Sequence, residues 1–217
     1  MKIRYLGHSA VLLEGSRTIY IDPFLTGNDR AAIAASDIRS ADFVAVTHDH
    51  ADHLGDAFVI CKATGATFVS VFEIAEMAGN EGINVEPMGI GGSIENSGVR
   101  FSLVNAAHSS SASDPTGIIV EMDGKTVYHM GDTSLIADMA LLPEFFDIDL
   151  SFVPIGDRFT MGAKSAVRAV EMCKAKVAVP IHYGTFPIID QTADRFVEVA
   201  KGRIEVRVLE PGATLEI

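Results

Sequence analysis

Tryptophan is missing from this chain, and only four tyrosines and two cysteines are spread over its 217 residues. Cys61 and Cys173, with no export signal ahead of them, form no disulfide framework and point to a reducing, cytoplasmic setting. The first apolar stretch is interrupted at Gly7, His8 and Ser9, too early for a signal peptide. No run approaches the roughly 20 consecutive apolar residues that a membrane span needs. Basic side chains are scarce too: 17 stand against 29 acidic ones, a formal charge of −12. Long nucleic acids are held mainly by lysine and arginine, so they are not expected as partners. Internal repeats, charge blocks, low-complexity tracts and Pro/Gly/Ser-rich linkers are also absent. A single domain over residues 1–217 is therefore expected, long enough to bury roughly 70% of its unfolded surface.

What is present is a globular composition, 48% hydrophobic and 21% charged, which excludes disordered and fibrous classes. Short apolar runs predict strands at 3–6, 10–13, 18–21, 43–47, 67–71, 100–106, 117–122, 126–130, 150–153, 177–181 and 205–209. Asp123-Gly124 supplies the positive φ angles of a tight hairpin turn between two of them. Helical stripes fall at Leu54, Ala57, Phe58 and Cys61 (with Gly65 as a stop), at Ala166, Ala169, Val170 and Cys173, and at Ala193, Phe196, Val197 and Ala200. Both cysteines sit on these stripes and read as core, as do Met88, Met130 and Met161. The order of elements predicts an α/β fold in which sheets pack together with helices outside.

Residues 47–53 read Thr-His48-Asp49-His50-Ala-Asp52-His53, three histidines and two aspartates within six positions. The run follows the apolar strand 43–47, so it lies in the loop leaving that strand. His108, Asp132 and His182 each follow a predicted strand in the same way. Sites in open α/β sheets form beyond the carboxyl ends of strands, where such loops converge. A lone histidine in such a place is usually structural; four loops carrying His or Asp make a metal site the economical reading. Ring nitrogens and carboxylates without thiolate suit zinc, manganese, iron or nickel.

With the segments Leu6-Gly-His-Ser, Ile21-Asp-Pro-Phe-Leu-Thr-Gly, His108-Ser-Ser-Ser, Tyr128-His-Met-Gly-Asp-Thr, Phe159-Thr-Met-Gly and Ile181-His-Tyr-Gly-Thr-Phe-Pro, this pattern resembles the metallo-β-lactamase superfamily over nearly the whole chain. It is most similar there to uncharacterised metal-dependent hydrolases related to ascorbate-6-phosphate lactonase. The resemblance implies an αβ/βα four-layer sandwich: two mixed β-sheets with helices on both outer faces and a dinuclear metal site at one edge. It implies His48, His50 and His108 on a first metal, Asp52, His53 and His182 on a second, and Asp132 bridging both. Zinc is the first choice for both ions. Two such ions roughly 3.5–4 Å apart share a hydroxide whose pKa falls from about 15.7 toward about 7, a nucleophile at neutral pH.

The pattern also separates the chain from some members of the superfamily. Flavo-diiron reductases carry Glu where His50 stands, and they append a flavin domain. Secreted antibiotic-hydrolysing members place Cys in the second site. Transfer-RNA processing members add a basic arm. The chain departs from its own group at Asp49 and Ala51, where glycines are frequent, and at Asp157-Arg158, where Gly-Asn is.

Other residues are candidates around the metals. His8 follows the first strand, and by resemblance it lies near the metals, where it joins Asp52 and Asp132 as a catalytic residue, donating a proton to the leaving group. A purely structural histidine is the competing reading. Asp22 could orient a ligand imidazole through its other ring nitrogen. His129 reads as a structural hydrogen bond. Ser109, Ser110 and Ser111 could contact substrate or cap their loop, but no base or elbow motif beside them makes a nucleophile. Arg158 could pair with a substrate carboxylate or phosphate, although a surface salt bridge is the stronger reading. Tyr183 lines the pocket or packs.

The expected function is that of a cytoplasmic di-metal hydrolase acting on a small-molecule substrate: an ester, lactone or phosphorylated lactone. A phosphodiesterase acting on a nucleotide or short oligonucleotide is one alternative, and a non-catalytic metal-binding protein is another. Relatives are commonly dimers or larger, so a homo-oligomer stays open.

Overall fold

A computed structural model describes residues 1–217. Six early strands are β1 (Lys2–Gly7), β2 (Ala10–Glu14), β3 (Thr18–Ile21), β4 (Phe43–Ala45), β5 (Thr67–Val71) and β6 (Val85–Met88). The later ones are β7 (Ser93–Asn96), β8 (Val99–Asn105), β9 (Thr116–Met122), β10 (Lys125–His129), β11 (Leu150–Pro154), β12 (Val177–Ile181) and β13 (Thr214–Glu216). They form two mixed sheets, one in the order β13-β1-β2-β3-β4-β5-β6 and the other β12-β11-β10-β9-β8-β7. The helices are α1 (Ala51–Leu54), α2 (Ala57–Thr64), α3 (Phe72–Asn80), α4 (Ala163–Cys173) and α5 (Asp194–Ala200). Helices α2 and α3 pack on the first sheet, and α4 packs on β11 with α5 beside it, giving the αβ/βα sandwich.

Period-two alternation sorts the second sheet's side chains between two cores. Val99, Phe101, Leu103, Ile118, Val120, Val127, Phe152 and Val179 point into the layer between the sheets. Their neighbours Ile119, Tyr128, Val153 and Ala178 point outward, under α4 and α5. Phe43 from the first sheet meets Phe101 from the second edge to face, with ring centroids 5.1 Å apart. Full burial of each such side chain contributes about 1.5–3 kcal/mol.

Some elements differ from the sequence expectation. No strand forms at 205–209; Val206 makes only an isolated parallel bridge to Ala178. The Ala178 N–H bonds the Glu205 carbonyl, and the Arg207 N–H bonds the Ala178 carbonyl. The next rung would need an N–H from Pro180, which has none. The apolar stripe from Leu54 to Cys61 is broken between α1 and α2, where Gly55 holds φ +42°. A Cβ there would stand 2.7 Å from the Pro23 carbonyl oxygen, so the crossing chain requires glycine. Asp56, next in line, holds that crossing chain by accepting the N–H groups of Leu25 and Thr26 and the Thr26 hydroxyl. Gly65 does end α2, in the left-handed conformation. Strands β6, β7 and β13 were not anticipated, because sheet edges are half exposed and carry weak alternation, and helix α3 was not anticipated either.

Candidate metal centre

Six strand ends meet at one edge of the sandwich. His8 follows β1, Asp22 follows β3, His108 follows β8, Asp132 follows β10 and His182 follows β12. The chain beyond β4 turns through His48 and His50 into α1, which carries Asp52 and His53. His8, Asp22 and His182 have φ of +57°, +47° and +59°, a conformation that costs a non-glycine residue on the order of 1–3 kcal/mol. Backbone bonds hold them in it: the His182 N–H donates to the His8 carbonyl at 2.9 Å, and the Asp22 N–H donates to the Ala45 carbonyl at 3.0 Å.

The ligand-type atoms fall into two adjoining groups. His48, His50 and His108 form one; His8, Asp52, His53 and His182 form the other, and within each the atoms lie within 4.8 Å of one another. Asp132 joins them, forming a third group with His48 and His53. Its Oδ2 is 3.4 Å from His108 Nε2 and 3.1 Å from His182 Nε2, while its Oδ1 is 3.2 Å from His53 Nε2. Asp132 Oδ1 and His53 Nε2 are buried without a hydrogen-bond partner. Buried polar atoms are nearly always satisfied, and a cation held among these inward-facing donors would satisfy both. The residues therefore fit the metal ions that the sequence implies.

Hydrogen bonds behind the ligand groups set which ring nitrogen faces inward. Asp22 is fully buried. It accepts the Thr47 N–H at 2.8 Å, the Thr47 hydroxyl at 2.7 Å and His53 Nδ1–H at 2.7 Å. The Thr47 hydroxyl proton is thus committed, so its oxygen accepts His48 Nδ1–H at 3.1 Å. Both His48 and His53 thus turn Nε2 into the site, where a bound cation would take the place of a proton. His8 sits at the other end, with Nε2 3.1 Å from Asp52 Oδ2 and Nδ1 2.9 Å from the Thr185 hydroxyl. Its ring meets Phe24 and Phe186 edge on, at centroid distances of 5.7 and 5.2 Å. Thr47, Thr185, Phe24 and Phe186 carry no metal-ligand signature, and sequence reasoning missed them. The sequence signals were the position of Thr47, next to the His48 run, and the two segments that hold the others, Ile21-Asp-Pro-Phe-Leu-Thr-Gly and Ile181-His-Tyr-Gly-Thr-Phe-Pro.

Burial opposes charge on all these groups, and opposite charges overcome it only where they converge. For His53 the carboxylates of Asp132 and Asp22 outweigh burial and hold it well above the usual imidazole value. His182 is likewise raised against its burial, to about 9, by Asp132 and by its bond to Asp52. Burial also works against Asp132 and Asp52, yet the histidines keep both below the carboxylate range. His48 falls to about 3 through burial and the His53 charge. Burial takes His8 down to about 4 even though Asp52 pulls the other way.

Asp49, inside the histidine run, turns away from the ligands and clamps the loop after His108. It accepts the Ser110 hydroxyl at 2.6 Å, the Ser111 N–H at 2.8 Å and the Ala112 N–H at 2.8 Å. Asp49→Ala is expected to cost about 1–3 kcal/mol through these lost bonds. It should also weaken metal affinity about tenfold through a loosened His108, measured by chelator competition. Wild-type affinity would show that the loop holds His108 without the clamp.

Other sequence candidates divide. Ser109 is exposed beside His108. His129 makes the structural bond anticipated, its Nε2–H donating to the Ser9 carbonyl at 2.8 Å. Tyr183 and both cysteines are buried in the cores, as are Met88, Met130 and Met161. The salt bridge expected of Arg158 is not formed. Its neighbour Asp157 pairs with Arg195 at 3.2 Å, and the Arg158 guanidinium lies 5.9 Å from the Phe159 ring centroid. It is a cation held on an aromatic face and free of carboxylates.

Residues 17–183, which hold all of these ligand-type residues except His8, match the family described as the Beta-lactamase superfamily domain. The chain belongs to the β-lactamase superfamily. Within that superfamily it is 43% identical to a UPF0173 metal-dependent hydrolase of Pelotomaculum thermopropionicum, covering 100% of both chains. It is 45% identical to a UPF0173 metal-dependent hydrolase of Thermus thermophilus, over 100% of this chain and 99% of that one. Among solved structures, the metallo hydrolase Igni18 of Ignicoccus hospitalis superposes with a TM-score of 0.92 at 37% identity, covering 100% and 98% of the two chains. This superfamily member is therefore a metal-dependent hydrolase by kinship with the UPF0173 group. None of its helices is long and apolar enough to cross a membrane.

Proposed function

We propose that the protein is a dinuclear hydrolase of small esters, lactones or phosphorylated lactones, acting in the cytoplasm with zinc as its metal. The observation that carries this reading is the position of Asp132, whose Oδ2 faces His108 of one histidine group and His182 of the other while its Oδ1 faces His53. His48, His50 and His108 would hold one ion and Asp52, His53 and His182 the other, with Asp132 shared. Ions so held would supply a hydroxide at neutral pH and polarise the substrate oxygen.

The chain's own groups do the rest. In hydrolysis, an oxygen from water bonds to the acyl carbon or phosphorus, the bond to the leaving oxygen breaks, and that oxygen takes up a proton. Asp52 is the more exposed of the two inner carboxylates, 24% against 3% for Asp132, so it can reach substrate. Its Oδ2 takes up the nucleophile's proton and passes it to His8 Nε2, 3.1 Å away, and His8 delivers that same proton to the leaving oxygen. Phe24 and Phe186, against His8, keep bulk water from that side. Ser109, exposed beside His108, is available to a substrate polar group.

Arg158 recognises an anionic substrate group. A charge-assisted bond of about 1.5–3 kcal/mol corresponds to roughly 10–100-fold in binding. Arg158→Ala should raise KM by about that factor for phosphorylated substrates and leave neutral esters unchanged. Equal effects on both would remove Arg158 from recognition.

The deciding experiment is a panel of lactones, esters, thioesters, phosphomonoesters and phosphodiesters, given to protein of measured metal content, with chelator-stripped protein as the blank. Metal-dependent turnover of lactones or esters with two bound ions is expected. Turnover confined to phosphodiesters would overturn the substrate class, and full activity with one ion would overturn the dinuclear reading.

A further inference from the structure

The inner histidines differ in what stands behind them. His53 has Asp22 at its outer nitrogen and His48 has Thr47. His182 is 2% exposed, turns Nε2 toward Asp132 and Asp52, and has no hydrogen-bond partner at its buried Nδ1. A second buried polar atom without a partner, the Thr160 hydroxyl oxygen, lies in the loop between β11 and α4. The two atoms border the same small space, in front of Gly156. A Cβ on Gly156 would stand 3.0 Å from His182 Nδ1 and 3.4 Å from Thr160 Oγ1. Only a residue without a side chain leaves that space open between them.

We propose that Thr160 is the positioning residue of His182, its hydroxyl accepting the Nδ1–H across the Gly156 niche through one water. A hydroxyl offers acceptor lone pairs and a rotatable proton, and a water in the niche keeps the same polarity along the chain of bonds. With the proton fixed on Nδ1, the Nε2 lone pair is kept toward Asp132 and Asp52, where a ligand imidazole needs it. The same contact holds the ring plane of a residue whose backbone is already in the left-handed region. Thr160 is thus to His182 what Asp22 is to His53 and Thr47 to His48, completing the set of outer partners on the second-ion side.

This inference rests on the dinuclear reading, and its test reads metal binding rather than turnover. Wild type, Thr160→Val and Thr160→Ser are loaded with zinc and titrated against a competing chelator, with circular dichroism to compare their folding. Valine keeps the shape of threonine and removes the hydroxyl. Thr160→Val should bind one of the two ions about 10–100-fold more weakly and keep the other at wild-type affinity, whereas Thr160→Ser should stay within about twofold of wild type for both. Wild-type affinities in Thr160→Val would overturn the proposal alone, as would Thr160→Ser weakened as much as valine, which would make the effect one of volume. Equal weakening of both ions in Thr160→Val would also overturn it, since Thr160 would then support the whole edge rather than His182. A wild type that binds fewer than two ions would overturn both this proposal and the dinuclear reading.

Discussion

Asp132→Ala is expected to lose both retained metal and turnover. Asp132 faces His53, His108 and His182 at 3.1–3.4 Å, so a single truncation removes a contact from each histidine group. Breaking a buried ionic contact by removing one partner costs about 3–5 kcal/mol. At 1.36 kcal/mol per tenfold, a loss of about 4 kcal/mol in the transition state lowers the rate on the order of 10³-fold. Metal content by elemental analysis and kcat/KM on whichever panel substrate is turned over would be measured together. The variant should carry less than one firmly held ion per chain. Near-normal activity with two ions would remove Asp132 from the centre and with it the shared-carboxylate arrangement.

The second large effect is expected at a residue that touches no metal. Asp22→Ala leaves the Thr47 N–H, the Thr47 hydroxyl and His53 Nδ1–H without their acceptor in a fully buried position. Stability should fall by about 3–5 kcal/mol. With each kcal/mol worth about 2–4 °C in a domain of this size, Tm should drop roughly 6–20 °C. Thr47 and His53 would also be free to turn, and metal affinity should weaken about 10–100-fold. Thermal unfolding of the chelator-treated protein separates the two effects, because only the structural part survives metal removal. A Tm within a degree or two of wild type in that state would mean that water replaces the carboxylate at no cost.

Much of the site was legible because its residue types are unusual in company. His48, His50, Asp52 and His53 fall within six positions, and His108, Asp132 and His182 each follow a strand. Alternating apolar residues in β8 to β12 made those strands readable, since each has a buried inner face. The edges were harder: β7 reads Ser-Ile-Glu-Asn and shows only half-buried positions, so its pattern is close to that of a loop. The strand expected at 205–209 failed through Pro180 on its neighbour, a residue that no inspection of 205–209 itself would implicate. The Arg158 salt bridge is not formed: its guanidinium lies against the Phe159 ring, and its neighbour Asp157 pairs with Arg195 on α5.

By itself the sequence determined the donor set, the alternation that builds two sheets around a shared core, and the superfamily. These depend on residue type and short spacing, which survive in one dimension. Only the tertiary structure decided which nitrogen of each histidine faces inward, that Asp49 clamps a loop instead of facing the ligands, and that Thr160 and His182 border one niche at Gly156. The bonds responsible join residues far apart in the chain: Asp22 to His53 across 31 positions, Asp49 to Ser110 across 61, and His8 to Thr185 across 177. A hydrogen bond depends on direction over about 3 Å, and no local pattern carries direction between segments that meet only when the sandwich closes.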